Sequence, residues 1–377
     1  MKVLIATDSF KGSMTSIEVA NYLEKGLKEI DRSLEITKVP ISDGGEGMVE
    51  AFLAANNGSK IKLNVTGPLG NIVDSFYGIS DDGSTAYIEV ASAIGLYLLD
   101  KHKRNPIETT SYGVGELILD AVNRGCKNVI IGLGGSSTND GGMGMARALG
   151  VKFLSKSGEE LLGFGFELGL VDKIDISNLD SRLKDVNFRI ACDVDNPLTG
   201  KKGAAHTFAS QKGASYKEIL QLEKGMINYQ NAIKESLGID VSRIKGGGAA
   251  GGLGAGLVAY LNADIVPGIK LIIEETNLEE KIKNVDLVIT GEGKIDNQTL
   301  HGKVPAGISA LAKKYNKRTI AIAGKVDIEE EVLKSLDIHS VLCITPKGQS
   351  IDEAMKRGKE NTFKIAKVIY EKHLINF

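Results

Sequence analysis

Apolar residues come in short runs near the start of the chain. Val3–Ala6 is β-branched and apolar and stops at Asp8, the pattern of a buried strand. Thr15 followed three residues later by Glu18 forms a capping box, and the spacing beyond it predicts a helix to about Ile30. Leu34–Val39 reads as the next strand. The loop 42–47 then leads into a helix over Val49–Asn56. This βαβα order predicts a parallel sheet with helices packed on it. The pattern changes after residue 60. Lys62–Thr66, Val73–Ile79 and Thr85–Val90 alternate and are punctuated by Gly67-Pro68 and Asp82-Gly83, which predicts an antiparallel or mixed sheet. A helix is expected over Ser111–Arg124, strands over Val129–Leu133 and Arg189–Cys192, and a long helix over 215–237. Regular alternation then returns. Strands Val285–Thr290, Thr319–Ala323 and Ser340–Thr345 interleave with helices Val304–Tyr315, Glu329–Ser335 and about 351–373.

The two ends of the chain share one style and the middle has another. The expected architecture is α/β: a discontinuous, doubly wound parallel-sheet domain of residues 1–60 and 284–377, interrupted by a second, mixed-sheet α/β domain of residues 61–283. A length of 377 residues agrees with two domains.

Composition narrows the function. There are 45 glycines against 7 prolines, and the glycines cluster after apolar runs, where backbone can approach a ligand closely. The net charge of −2 and the absence of Trp give no platform for nucleic acid and no pull toward an anionic membrane. The four-residue apolar run at the start is no secretory signal, and no stretch approaches the ~20 residues of a membrane span, so a cytoplasmic protein of small-molecule partners is expected. Cys126, Cys192 and Cys343 form no CxxC pair and read as small buried thiols.

In an open parallel sheet, ligands bind beyond the carboxyl ends of the strands. Asp8, Ser9 and Lys11 follow the first strand; Asp43, Gly44, Gly45 and Glu46 follow the second. Glu292, Lys294 and Asp296, then Lys325 and Asp327, follow later ones. Carboxylates alternating with lysines suit a magnesium–phosphate ligand. The loop of Gly134, Gly135, Ser136, Ser137, Thr138, Asn139 and Asp140 joins a strand to a helix and offers backbone amides to an anion. Asp193 and Asp195, two apart after a strand, suit magnesium binding or proton acceptance. Gly246-x-Gly248-x-x-Gly251 is a formal dinucleotide motif, but no strand of several apolar residues leads into it, and it reads as close backbone packing or phosphate approach. No Walker A motif and no protein-kinase signature is present, so phosphoryl transfer here needs another scaffold.

Seven blocks, in order, give a resemblance. They are Asp8–Gly12, Asp43–Gly47, Gly132–Gly142, Cys192–Leu198, Gln211–Ala214, Gly248–Gly252, and Thr290–Asp296 with His301–Pro305. Along nearly its whole length the chain resembles the bacterial type I glycerate kinase family. The resemblance implies a flavodoxin-like domain interrupted by a second α/β domain, and ATP-dependent phosphorylation of D-glycerate to 2-phosphoglycerate. Lys294 stands where the family frequently has Arg. Within this reading a cleft between the domains takes glycerate and Mg-ATP. Lys11 and Lys294 meet phosphates, Asp43 or Asp193 takes the hydroxyl proton, and Asp195 and Asp296 serve magnesium. Asp8, Ser9, Gly44, Gly45, Lys325 and the 134–140 loop bind substrate or phosphate. Three other readings stay open: a kinase of another small hydroxy or sugar acid, a nicotinamide-dependent dehydrogenase, and a nucleotide sensor without turnover.

Overall fold

The computed structural model describes residues 1–377 apart from 43, 46, 297, 298, 300–303, 329–332, 334, 335, 376 and 377. Among the described residues the strands are, in chain order, β1 (Lys2–Thr7), β2 (Glu35–Lys38), β3 (Ser59–Thr66), β4 (Ile72–Ile79), β5 (Thr85–Glu89), β6 (Asn128–Gly132), β7 (Lys152–Leu154), β8 (Lys173–Asp175), β9 (Asn187–Ala191), β10 (Asp264–Val266), β11 (Leu287–Asp296), β12 (Arg318–Asp327) and β13 (Ser340–Cys343). The chain divides into two compact units. Unit 1 is Met1–Asp43, Glu50–Asn56 and Gly268–Phe377; unit 2 is Gly44–Val49 and Asn57–Pro267.

Unit 1 is built on one sheet in the order β13-β12-β11-β1-β2, with every neighbouring pair parallel. Numbered within the unit, that is 2-1-3-4-5, the flavodoxin-like doubly wound order. Val3, Leu4, Ile5 and Ala6 are all fully buried, as a central parallel strand covered on both faces requires. Helix Ser16–Ile30 starts at the expected box: Thr15 accepts from the Glu18 amide, and Glu18 accepts from the Thr15 amide. It packs on helix Gly358–His373 so closely that a Cβ on Gly26 would lie 2.6 Å from the Ala366 Cβ. These helices and the sheet enclose Val3, Ile5, Leu23, Leu287, Ile320 and Ile369 in one core.

Two strands run further than the sequence pattern suggested. Beyond the apolar run, β11 and β12 stay paired as far as Asp296↔Asp327. Lys294 and Asp296, and likewise Lys325 and Asp327, are therefore strand residues sharing a face, not loop residues. At the other end of unit 1, the expected 351–373 helix is two, Ile351–Lys356 and Gly358–His373, broken at Arg357. The helix expected over 329–335 lies outside the described residues apart from Leu333.

Unit 2 carries a six-stranded mixed sheet in the order β10-β9-β6-β5-β4-β3. The pairs from β10 to β5 are parallel and the two at the β3 end antiparallel. The change of style after residue 60 is this antiparallel meander. Helix Tyr216–Leu237 has its own box, Ser215 with Glu218. Its Tyr229 hydroxyl shares a 2.9 Å hydrogen bond with Tyr260 in the unit 2 core. Among the described residues, no helix is long and apolar enough to cross a membrane.

Candidate functional site

Among the described residues, the candidate side chains fall into two sets, one in each unit. In unit 1 they line a cavity of about 670 Å³ beyond the carboxyl ends of the strands. Asp8, Ser9 and Lys11 come from the end of β1, Lys294 and Asp296 from β11, and Lys325 from β12. This is the point where the strand order reverses, between β1 and β11, and a ligand site is expected there. The Asp8 amide donates to the Gly291 carbonyl at 2.8 Å, and its carboxylate accepts from the Ser9 amide at 2.6 Å. Phe10 and Met14 close a tight loop through reciprocal backbone hydrogen bonds, with Gly12 at φ +77°. That loop lies against β11: a Cβ on Gly293 would be 3.5 Å from the Lys11 amide nitrogen.

Lys294 Nζ lies 3.1 Å from both Asp296 and Asp327. These carboxylates, Asp296 foremost, hold its ammonium above the usual lysine range, and Lys294 in turn holds Asp327 below the usual carboxylate range. Lys294 is nearly half exposed, so such pairs contribute little to stability and are open to exchange for a ligand's oxygens. Glu292, almost fully buried beside them, accepts from the Thr299 hydroxyl at 2.6 Å. Among the described residues, no group of three or more metal-competent side chains gathers. The carboxylates of Asp8, Glu292 and Asp296 around the cavity still suit a magnesium carried mainly by phosphates and water, which takes only one or two protein ligands.

In unit 2 three glycine-rich stretches meet. Gly44, at φ +84°, sits on Ala191 at the end of β9, and its carbonyl would lie 2.3 Å from a Cβ on Gly132. A Cβ on Gly134 would fall 2.5 Å from the Gly45 Cα. The loop after β6 and the Gly44-Gly45 turn therefore touch through backbone alone. From the other side, the Gly141 amide donates to the Gly251 carbonyl at 3.0 Å, and a Cβ on Gly251 would lie 1.9 Å from the Thr138 carbonyl oxygen. Of the formal dinucleotide motif, Gly251 serves this packing, while Gly246 lies against Cys192 and Val194 and Gly248 against Pro197. The residues before the motif are turn and coil, with no strand leading in.

The Ser136–Asp140 segment is held from behind. Asp140 is fully buried and accepts from the Ser111 amide and hydroxyl, both at 2.7 Å, and from the Gly142 and Gly144 amides, both at 3.1 Å. Burial pushes its carboxyl up, against those hydrogen bonds. Lys212 is buried as well; its ammonium donates to the Ser136 hydroxyl at 3.1 Å and the Thr138 carbonyl at 2.7 Å. Burial pulls its pKa down to about 7, and the Asp140 charge opposes that. Asp193 and Asp195 are exposed beyond β9, Asp195 within 3.5 Å of Lys245. Asp43 and Glu46 lie outside the described residues, as does His301.

Sequence reasoning assigned no role to Lys212, and noted Glu292 without giving it one. Lys212 lay inside a block that carried the resemblance, but no local pattern marks a lysine as buried. The cysteines also differ from the expectation of buried thiols: Cys126 is buried, Cys192 partly so, and Cys343 exposed. Cys343 ends the edge strand β13 and lines the unit 1 cavity.

The sequence pattern of the glycerate kinase family matches residues 3–373. The chain is 48% identical over 361 residues to the Glycerate 2-kinase of Escherichia coli (strain K12), covering 96% of this chain and 95% of that protein. It is 45% identical over 356 residues to the Glycerate kinase of Halalkalibacterium halodurans, with 94% of each covered. A crystal structure from Salmonella typhimurium LT2, named as a glycerate kinase 2, superposes with a TM-score of 0.88 at 43% identity, over 98% of this chain and 97% of that one.

Proposed function

Because the chain belongs to the glycerate kinase family, we propose that it transfers the γ-phosphoryl group of ATP to D-glycerate and releases ADP and 2-phospho-D-glycerate. The observation that carries the phosphoryl-transfer chemistry is the lysine–carboxylate lining of the unit 1 cavity, at the switch point of a 2-1-3-4-5 sheet. Phosphoryl transfer asks the protein for position and charge more than for covalent chemistry. Lys11 and Lys294 neutralise phosphate oxygens, with Lys325 beside them. The glycerate hydroxyl oxygen bonds to the γ-phosphorus while the β–γ bridging bond breaks, and the electron pair leaves on ADP. The hydroxyl proton passes to Asp43 or Asp193. Magnesium bound with ATP would spread the phosphate charge, and Asp296, in the unit 1 cavity, would hold it. The backbone of Gly44, Gly45, Gly134 and Gly135 binds the remaining anionic groups, and the buried Ser137, Thr138, Asn139 and Asp140 shape the loop from behind.

The test is ATP consumption by the purified protein with magnesium and D-glycerate, the product identified by NMR. Glycerate-dependent ADP release with phosphate on the 2-hydroxyl is the expected result. Turnover only with another hydroxy acid would replace the substrate, and absence of ATP binding would remove the kinase reading. Asp43→Asn and Asp193→Asn separate the proton acceptors: the acceptor's variant loses turnover with little change in KM. If both keep near-normal turnover, neither carboxylate takes the proton.

A further inference from the structure

We infer that the unit 1 cavity is the nucleotide subsite, with a purine lying on an apolar wall of Phe10, Ile344, Ile351 and Met355 and the phosphates running toward Lys11 and Lys294. This rests on the kinase reading and goes beyond it by giving one ligand to one unit.

Size argues first. At about 670 Å³ the cavity falls within the range of sites that enclose a whole nucleotide-sized ligand, and a three-carbon acid would fill little of it. The wall argues next. Ile351 is 68% exposed and Met355 38% exposed, on a short helix that borders the cavity. Glycerate has no apolar face to cover them, whereas a purine has two. The wall is fixed in place, because the Ser13 hydroxyl donates to the Met355 carbonyl at 2.7 Å and ties that helix to the loop after β1. The lining combines both characters: lysines and carboxylates stand at the ends of β1, β11 and β12, and the apolar side chains come from Phe10 and the segment after β13, so one ligand with a charged end and a flat apolar end matches both. The glycine loop of unit 2 has no such surface: Ser137, Thr138, Asn139 and Asp140 are at most 1% exposed.

Cys343 reports on the site without being part of the chemistry. Its exposed thiol lines the cavity, while Cys126 is buried. Alkylation of the full-length protein by N-ethylmaleimide, followed residue by residue by mass spectrometry, is measured alone, with Mg-ADP and with D-glycerate. The expected result is at least tenfold slower modification of Cys343 with Mg-ADP and an unchanged rate with D-glycerate. That outcome stands whether or not the protein phosphorylates glycerate, so it is separable from the test of activity. An unchanged rate with saturating Mg-ADP, or protection by D-glycerate alone, overturns the assignment even in a fully active enzyme. A variant, Ile351→Glu, changes a side chain that is 68% exposed. It should weaken ADP binding by tenfold or more in calorimetry and leave the KM for D-glycerate within twofold; a raised glycerate KM with unchanged ADP affinity overturns the inference as well.

Discussion

Lys212 holds its ammonium where water does not reach, with a hydroxyl and a carbonyl as its partners. Burial lowers its pKa from 10.5 to about 7. Between those values the unfolded chain carries a proton that the native protein lacks. Stability therefore rises with pH across that window, by up to ~1.4 kcal/mol per pH unit from this one group, and the penalty is full below about 7. Lys212→Met removes the titration. Urea unfolding at pH 7, 8 and 9 should show the native protein gaining stability relative to the variant with each step. Parallel curves would mean that Lys212 keeps its proton in the folded state. At this scale the sequence was readable where the chemistry followed a strand end: Asp8, Lys11, Lys294, Asp296 and Lys325 all reach one cavity. Lys212 was not readable, because its burial depends on residues 74 and 76 positions away in the chain.

The elements show the same division between local and distant causes. Thr15 with Glu18, and Ser215 with Glu218, satisfy backbone amides within four residues, and both boxes form. The first was legible from spacing alone, and so was the helix that follows the second. Thr15→Ala and Ser215→Ala should each lower stability by about 1 kcal/mol in chemical denaturation, and the effects should add because the two sites share no partners. A loss below a few tenths would mean that water caps these ends equally well. The extension of β11 and β12 to Asp296 and Asp327 was not legible, since Lys and Asp have low strand propensity. Only the parallel partner supplies the reason, and no residue near Lys294 in the sequence announces it.

At the scale of the whole molecule, the doubly wound sheet was visible as matching styles at the two ends of the chain, and the mixed sheet as the different style between them. Which strand stands beside which was not, because strand order is a property of the closed fold. That order has a kinetic consequence. β1 pairs with β11 through Val3↔Leu287, a separation of 284 residues, while β5, β6 and β9 in unit 2 pair across much shorter stretches. Contacts of such long range come late in folding. Pulse-labelling hydrogen exchange during refolding should find amides of β6 and β9 protected before those of β1 and β11; simultaneous protection would show that the two units fold as one. On the ribosome the delay is built in. Unit 2 is complete once Pro267 has emerged, but Val3, Leu4 and Ile5 must wait for Leu287–Ile289 to be made. Through that interval the nascent chain carries an apolar strand with an open edge, the form most prone to pair with a neighbour, so yield in a cell should depend on how well this one strand is shielded until its partner arrives.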